Sequence, residues 1–370
     1  MKVLVTGADG FIAKNLIVRF GEVDGFEAVP FTRQTPESRL PAFVSDIDAV
    51  VHLAGINRPL IPNEFAEGNT GLTERLCQTL IDSNRKVPVI FSSSTQVALD
   101  NPYGMSKRDA ENALRKYSAL TGAPVYIYRL PNIFGKWCKP NYNSAVATFC
   151  YNIARGLPIK INDPNIELTL AYVDDLVNEF IDLLKDVKSV SMMEICSVPV
   201  EYKITVGALA KQIELFRDSR ASMISERVGL GLTRALYATY VSYLQPDSFS
   251  YELPKHGDTR GVFVEMLKTK DSGQFSFFTA HPGVTRGGHY HHSKTEKFLV
   301  IKGETRFRFR NILTDERHEI FASGQSPKVV ETVPGWTHDI TNVGSDEVVV
   351  MLWTNEIFDR SRPDTIPCKV

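Results

Sequence analysis

Three histidines and a glutamate stand close together in the stretch GGHYHHSKTEKFLVIKG (287–303), where eight residues carry His289, His291, His292 and Glu296. Alternate residues of a strand share a face, so His289 and His291 can point into one interior while His292 points to the other side. Glu296 opens the next apolar run, EKFLVI, and His338 follows a Pro-Gly turn in PGWTHDITN. Three imidazoles and one carboxylate are a donor set for a divalent ion such as Zn, with a position left open for water or substrate. A proton-transfer site and a plain polar strand edge are the other readings of the same cluster. His256, His281 and His318 have no partners at useful spacing and read as surface residues.

A second set lies in FSSSTQVALDNPYGMSK (91–107). Tyr103 and Lys107 are four apart at the start of a helix, which puts both side chains on one face. An ammonium near a phenol favours the phenolate, so the Tyr103 pKa is expected to be lowered. Ser94, at the end of a strand, can hydrogen-bond a carbonyl oxygen. Together the three can deliver a proton to the alkoxide that forms when hydride reaches a ketone. Upstream, TGADGFIA (6–13) places Gly7, Gly10 and Ala13 at three-residue intervals between a strand and a helix. Small residues there allow a tight turn, close helix packing and the approach of a pyrophosphate to the helix N-terminus. After the second strand comes FTRQ, with Arg33 and no carboxylate; a guanidinium suits a 2′-phosphate, so NADP(H) is expected rather than NAD. Asn132 and Arg155 are further candidates, for uracil or diphosphate contacts.

These residues need elements to hold them. Over residues 1 to about 200, apolar runs alternate with helical stretches: VLVT (3–6), EAVPF (27–31), AVVHLA (49–54), VPVIFSS (87–93), VYIYRL (125–130) and EICSV (194–198) as strands. That alternation predicts an α/β, doubly wound parallel sheet of Rossmann type. TVGALAKQIELFRDSRA and GLTRALYATYVSYL close this half as helices. From Tyr251 onward, period-two runs such as QFSFFTA, ETRFRFRN and EVVVMLW between Gly, Pro, Asn and Asp turns predict an all-β sandwich or barrel. The boundary is placed so that residues 1–247 form one domain and 248–370 the other.

A chain of 370 residues is long enough for two cores. With 42 Lys plus Arg against 43 Asp plus Glu, there is no basic surplus to suggest nucleic acid or an anionic membrane. Five scattered cysteines without metal spacing fit reduced thiols in a cytoplasm, and no apolar run is long enough to span a membrane.

TGADGFIA, DAVVHLAG, FSSSTQV, PYGMSK, YRLPNIFG and AYVDDL, in that order, resemble the extended short-chain dehydrogenase/reductase family, especially its nucleotide-sugar epimerase and reductase branch. The resemblance implies that Ser94, Tyr103 and Lys107 form a catalytic triad. It also implies that Gly7, Gly10, Phe11, Ile12, Arg33, Leu53 and Ala54, with Tyr103 and Lys107, hold the dinucleotide, and that the loop 130–134 flanks cofactor and substrate. Two departures stand out: Ala13 replaces the usual third glycine, and Ala98 stands where a tyrosine often occurs. The run from Gly283 through His289, His291 and Glu296 to Gly303 resembles the first motif of the cupin superfamily, and PGWTH with Asn342 resembles the end of the second. This implies that His289, His291, Glu296 and His338 are metal ligands. VTRGGHYH is also similar to sugar-nucleotide epimerases on the same barrel, in which a histidine acts as base without metal; the ligand role is favoured because Glu296 and His338 complete a shell.

The whole chain resembles bifunctional capsular-polysaccharide enzymes acting on a UDP-4-keto-6-deoxy-N-acetylhexosamine. That resemblance implies C3 epimerisation by the cupin, then C4 reduction with NADPH to a UDP-N-acetyl-6-deoxy-talose, in a cytoplasmic homodimer. The alternatives are a cupin that serves only binding or dimerisation, and a UDP-sugar 4-epimerase that recycles NAD.

Overall fold

The computed structural model describes residues 1–59, 64–186, 193–253, 256–258, 261–263, 267–269, 274–356 and 361–370. Six parallel strands form one sheet in the order Glu27–Phe31, Lys2–Thr6, Ala49–His52, Val89–Ser94, Val125–Leu130, Met193–Cys196. The first strand lies between the second and third, so the chain reverses direction across the sheet beside it. Crevices at the carboxyl ends of strands at such a reversal are where α/β sheets hold ligands. Val3, Leu4, Val5, Val50, Val51, Val89, Ile90 and Ile127 are buried, the continuous apolar content of a parallel sheet covered on both faces. The expected strands match these spans to within two residues at each end.

Two five-stranded antiparallel sheets make up the β-rich part. One has the order Ser250–Glu252, Lys328–Glu331, Glu296–Lys302, Val348–Thr354, Gln274–Ala280. The other has the order Arg317–Ser323, Glu304–Asn311, Trp336–Asn342, Thr285–Tyr290, Ile366–Pro367. Their inner faces meet through aromatic rings, with Phe298 of the first sheet 5.6 Å from Phe307 and 6.2 Å from His338 of the second.

Compactness divides the chain differently from the change in sequence texture at 247. One unit comprises Met1–Ile133 with Leu168–Lys203, the other Phe134–Glu167 with Ile204–Val370. The helices Ala145–Ile153, Val206–Ser222 and Gly231–Val241 therefore belong with the antiparallel sheets. For the last two the link is a buried polar knot: Glu331 accepts from Arg220, from Lys297 and, at 3.2 Å, from the Tyr237 hydroxyl, and Ala145–Ile153 packs on those two helices. Helical pattern alone placed Val206–Ser222 and Gly231–Val241 in the first domain; their partner Glu331 lies about a hundred residues further on.

Candidate active site and candidate metal centre

Ser94 is the last residue of its strand, and its hydroxyl accepts from the Gln96 amide at 3.2 Å, capping the short helical turn Thr95–Ala98. The helix Pro102–Thr121 starts on Asn101, whose side chain accepts from the Gly104 amide at 2.7 Å, with proline at the first helical position. A β-carbon on Gly104 would lie 2.3 Å from the Gln96 carbonyl oxygen and 2.6 Å from that of Leu99. Only glycine lets the start of this helix, and with it Tyr103, lie so close to the turn after Ser94.

Lys107 is buried, and its ammonium donates to the Ser92 carbonyl at 2.9 Å. Burial lowers its pKa to about 8, partly offset by Glu111. Glu111 is itself fixed by Ser93 at 2.6 Å and by both sides of the Arg129 guanidinium, which ties the helix to two strands. The expected lowering of Tyr103 is not what the structure gives. Burial raises the phenol, and a hydrogen bond with Ser94 only partly opposes it. The environment keeps the hydroxyl protonated, the state that a proton donor needs.

Asn69, which sequence reasoning missed, belongs to the same neighbourhood. It is buried, accepts from the Ile56 amide at 2.7 Å and donates to Ser106 at 2.9 Å. A β-carbon on Gly55 would lie 3.1 Å from its Oδ1 and 3.2 Å from Lys107 Nζ. It sits in a π-helical segment, Ala66–Gly71, a local distortion that composition does not announce.

A cavity of about 390 Å³ opens at the carboxyl ends of the first three strands, lined among others by Gly7, Gly10, Arg33, Leu53 and Ala54. Gly7 has φ +65°, and a β-carbon there would lie 2.7 Å from the Ala54 Cα; this is a cradle that any side chain would fill. Gly10 caps the helix Phe11–Phe20, so Phe11 and Ile12 begin that helix and are not among the cavity's lining residues. Ala13 is fully buried, so the alanine in place of a third glycine is accommodated. A carboxylate does line this cavity: Glu37 is paired with Arg75 at 2.5 Å, which neutralises it. The cradle, the cavity and the helix N-terminus fit a dinucleotide.

Of the two substrate candidates, Asn132 is exposed and donates to the Thr169 carbonyl at 3.1 Å. Arg155 is engaged elsewhere: it donates to the carbonyls of Tyr243 at 2.9 Å and Tyr151 at 3.2 Å and stacks 3.7 Å over the Tyr151 ring.

In the β-rich unit the cluster assembles. One donor atom each from His289, His291, Glu296 and His338 lie within 4.8 Å of one another. A bulge between Gly287 and His289 breaks the register of that strand against Trp336–Asn342 and sets His289 opposite His338, their rings 4.7 Å apart. Gly287 needs its φ of +96°, since a β-carbon would come 2.9 Å from the His338 carbonyl oxygen. His292 lies outside the cluster, its ring 5.5 Å from that of Tyr290.

Burial, then the charges of His338 and His291, lowers His289 to about 3, so it is a neutral imidazole. Burial would lower His291 too, but the neighbouring Glu296 outweighs it and raises the value. His338 is buried with neither ring nitrogen in a well-formed hydrogen bond, although Nε2 lies 3.3 Å from Glu296 Oε2. A buried imidazole with an unspent lone pair, beside a carboxylate and two more imidazoles, fits a divalent metal with N₃O donors.

The parallel sheet and the cavity at its carboxyl ends are those of a dinucleotide-binding α/β oxidoreductase. The chain belongs to the NAD dependent epimerase/dehydratase family, which its residues 3–196 match. Residues 256–366 match the polysaccharide biosynthesis C-terminal domain. Over its whole length the chain is 58% identical to a UDP-2-acetamido-2,6-beta-L-arabino-hexul-4-ose reductase of Pseudomonas aeruginosa, covering 99% of that protein. The crystal structure of the capsular polysaccharide assembling protein CapF from Staphylococcus aureus is similar over 100% of both chains, with 42% identity and a TM-score of 0.69. A UDP-glucuronic acid 4-epimerase from Bacillus cereus, 19% identical with a TM-score of 0.55, covers 66% of this chain and 98% of its own and shares the fold. Among the described residues no helix is long and apolar enough to cross a membrane.

Proposed function

We propose that the protein epimerises C3 of a UDP-4-keto-6-deoxy-N-acetylhexosamine and then reduces C4 with NADPH. The product is UDP-N-acetyl-6-deoxy-L-talose, on the route to UDP-L-N-acetylfucosamine for capsular polysaccharide. The observation that carries this reading is the full-length identity of 58% to a reductase of a UDP-acetamido hexulose. We assign the two activities to residues 1–247 and to 248–370, the latter as a cupin barrel. The five free cysteines support a reducing, cytoplasmic setting, and we propose a homodimer.

In the reductase half, bound NADPH supplies the hydride. Tyr103 gives its hydroxyl proton to the C4 oxygen, so the ketone becomes an alcohol with no net charge left on the sugar. Ser94 holds that oxygen by a hydrogen bond. Lys107, one helical turn further on and bonded to the Ser92 carbonyl, supplies positive charge to the site and restores the proton. We assign Asn132 and Arg155 to the substrate; the Arg155 Nη1 already donates to two carbonyls. Arg33 would face a 2′-phosphate. Arg33→Ala is expected to raise KM for NADPH about tenfold or more while leaving KM for NADH nearly unchanged, since a charge-assisted hydrogen bond is lost only with the phosphate. Equal effects on both cofactors would remove the NADPH assignment.

In the β-rich half, a 4-ketone acidifies the C3 proton, and a base takes it and returns one on the opposite face. His289, His291, Glu296 and His338 would hold a divalent metal, zinc by its donor set; when bound it supplies Lewis acidity. The test is NMR of the product made in D2O with NADPH. Deuterium at C3 with one equivalent of NADPH oxidised per product supports both steps. Reduced product without deuterium leaves a reductase whose β-rich half only binds or dimerises.

A further inference from the structure

We propose that the C-terminal strap, through Asp364, is a positioning element for the metal ligands; this rests on the reading of the histidine cluster as a metal site. The last residues run back across the ligand strand, Tyr290 pairing with Ile366 and His289 with Pro367, and the Cys368 amide donates to the Gly288 carbonyl at 2.8 Å. The Thr337 hydroxyl donates to the Cys368 carbonyl at 2.5 Å, which fastens the strap next to His338 as well.

Asp364 stands where this strap passes the turn between His291 and Glu296. Its carboxylate accepts three consecutive backbone amides, His292 at 2.8 Å, Ser293 at 2.7 Å and Lys294 at 2.7 Å, with the Ser293 hydroxyl at 3.1 Å. That turn carries the chain from one ligand to the next. Its amides all point to one side and have no strand partner there; a single carboxylate satisfies them. With its amide held, Lys294 lays its ammonium 3.1 Å from Glu296 Oε1, opposite the oxygen that faces the histidines.

The backbone of the same residue completes the arrangement. His291 Nδ1 hydrogen-bonds the Asp364 carbonyl oxygen. A carbonyl can only accept, so Nδ1 carries a proton in either charge state. Nε2, 3.2 Å from Glu296 Oε2, is left as the atom that can bind metal. Partners of this kind fix ring orientation and tautomer, and their loss costs about 10- to 100-fold in metal affinity. One residue of the strap thus fixes a ligand's tautomer with its carbonyl and the turn between two ligands with its carboxylate.

The experiment compares zinc affinity, by competition with a chromophoric chelator, in the full-length wild type, Asp364→Asn, Asp364→Glu and His291→Ala. Histidine nitrogen NMR of the metal-free proteins reads the His291 tautomer. Asp364→Asn presents an amide group to backbone donors and so loosens the strap that carries the carbonyl; it is expected to bind zinc about 10- to 100-fold more weakly and to show mixed His291 tautomers. Asp364→Glu, which keeps the charge, is expected to recover part of the affinity. Wild-type affinity and a single tautomer in Asp364→Asn would overturn the proposal. Should that variant not fold, Asp364→Glu decides: affinity equal to wild type despite the displaced carboxylate overturns it, and a loss with a shifted tautomer population supports it. A wild type that binds no zinc would instead end the metal reading itself.

Discussion

Tyr103→Phe is expected to lower the turnover of ketone reduction by about 10²- to 10⁴-fold, the usual worth of a positioned proton donor. The ring stays packed 5.7 Å from Phe65, so the fold should be unaffected and the loss should appear mainly in kcat. Burial holds the phenol above its ordinary 10, and the Ser94 hydrogen bond only partly offsets this, so the hydroxyl is fully protonated at neutral pH. That is the competent form for reduction. Reduction carried by this group alone should therefore be flat through neutrality and fall only at strongly alkaline pH. Turnover measured with NADPH and the 4-keto UDP sugar settles the matter: a rate within a few-fold of wild type would mean that another group gives the proton. Exchange of the C3 proton in D2O should survive the substitution, because the histidine cluster shares no residue with the triad.

Glu331→Gln is expected to destabilise the β-rich unit by about 3–5 kcal/mol, since it leaves the buried Lys297 and the half-buried Arg220 facing a neutral amide. Lys297 and Glu331 are each 3% exposed, and the Arg220 guanidinium and the Lys297 ammonium also face the Tyr251 ring, at 5.0 and 5.5 Å. For a unit of about 200 residues this corresponds to a fall of roughly 10 °C in Tm. Burial alone would raise the Glu331 carboxyl, but Arg220 and then Lys297 outweigh it and hold it at about 2, against an ordinary 4.5. A carboxylate lowered in the folded state stabilises fully above pH 4.5, and that contribution is lost as pH falls from 4.5 toward 2. Wild type should lose stability over that window, and Glu331→Gln should lack this part of the loss. Thermal unfolding of both proteins at several pH values checks it; an unchanged Tm would show that the knot contributes nothing. Adding Lys297→Met to Glu331→Gln should recover part of the stability by removing one stranded charge.

Sequence by itself determined what depends on neighbours along the chain. Strand and helix periodicity placed every strand of the parallel sheet. The glycines of TGADGFIA follow from a turn that has no room for a β-carbon, and Tyr103 and Lys107 share a face because four residues make about one helical turn. Two histidines at alternate positions with a glutamate five residues on are legible for the same reason, although the bulge at Gly287 that sets His289 against His338 was not. Tertiary structure alone decided what depends on groups far apart in sequence. It raised the Tyr103 pKa, where a lone ammonium four residues away predicted the opposite, because burial outweighs the Ser94 hydrogen bond. It put Glu37, neutralised by Arg75, in the cofactor cavity. It drew two helices to the antiparallel sheets through Glu331, about 110 residues beyond Arg220, and it brought Asp364 to amides some 70 residues earlier. Spacing rules see one turn or one strand; a buried charge chooses its partners by what the folded core leaves within reach, and no local pattern encodes that choice.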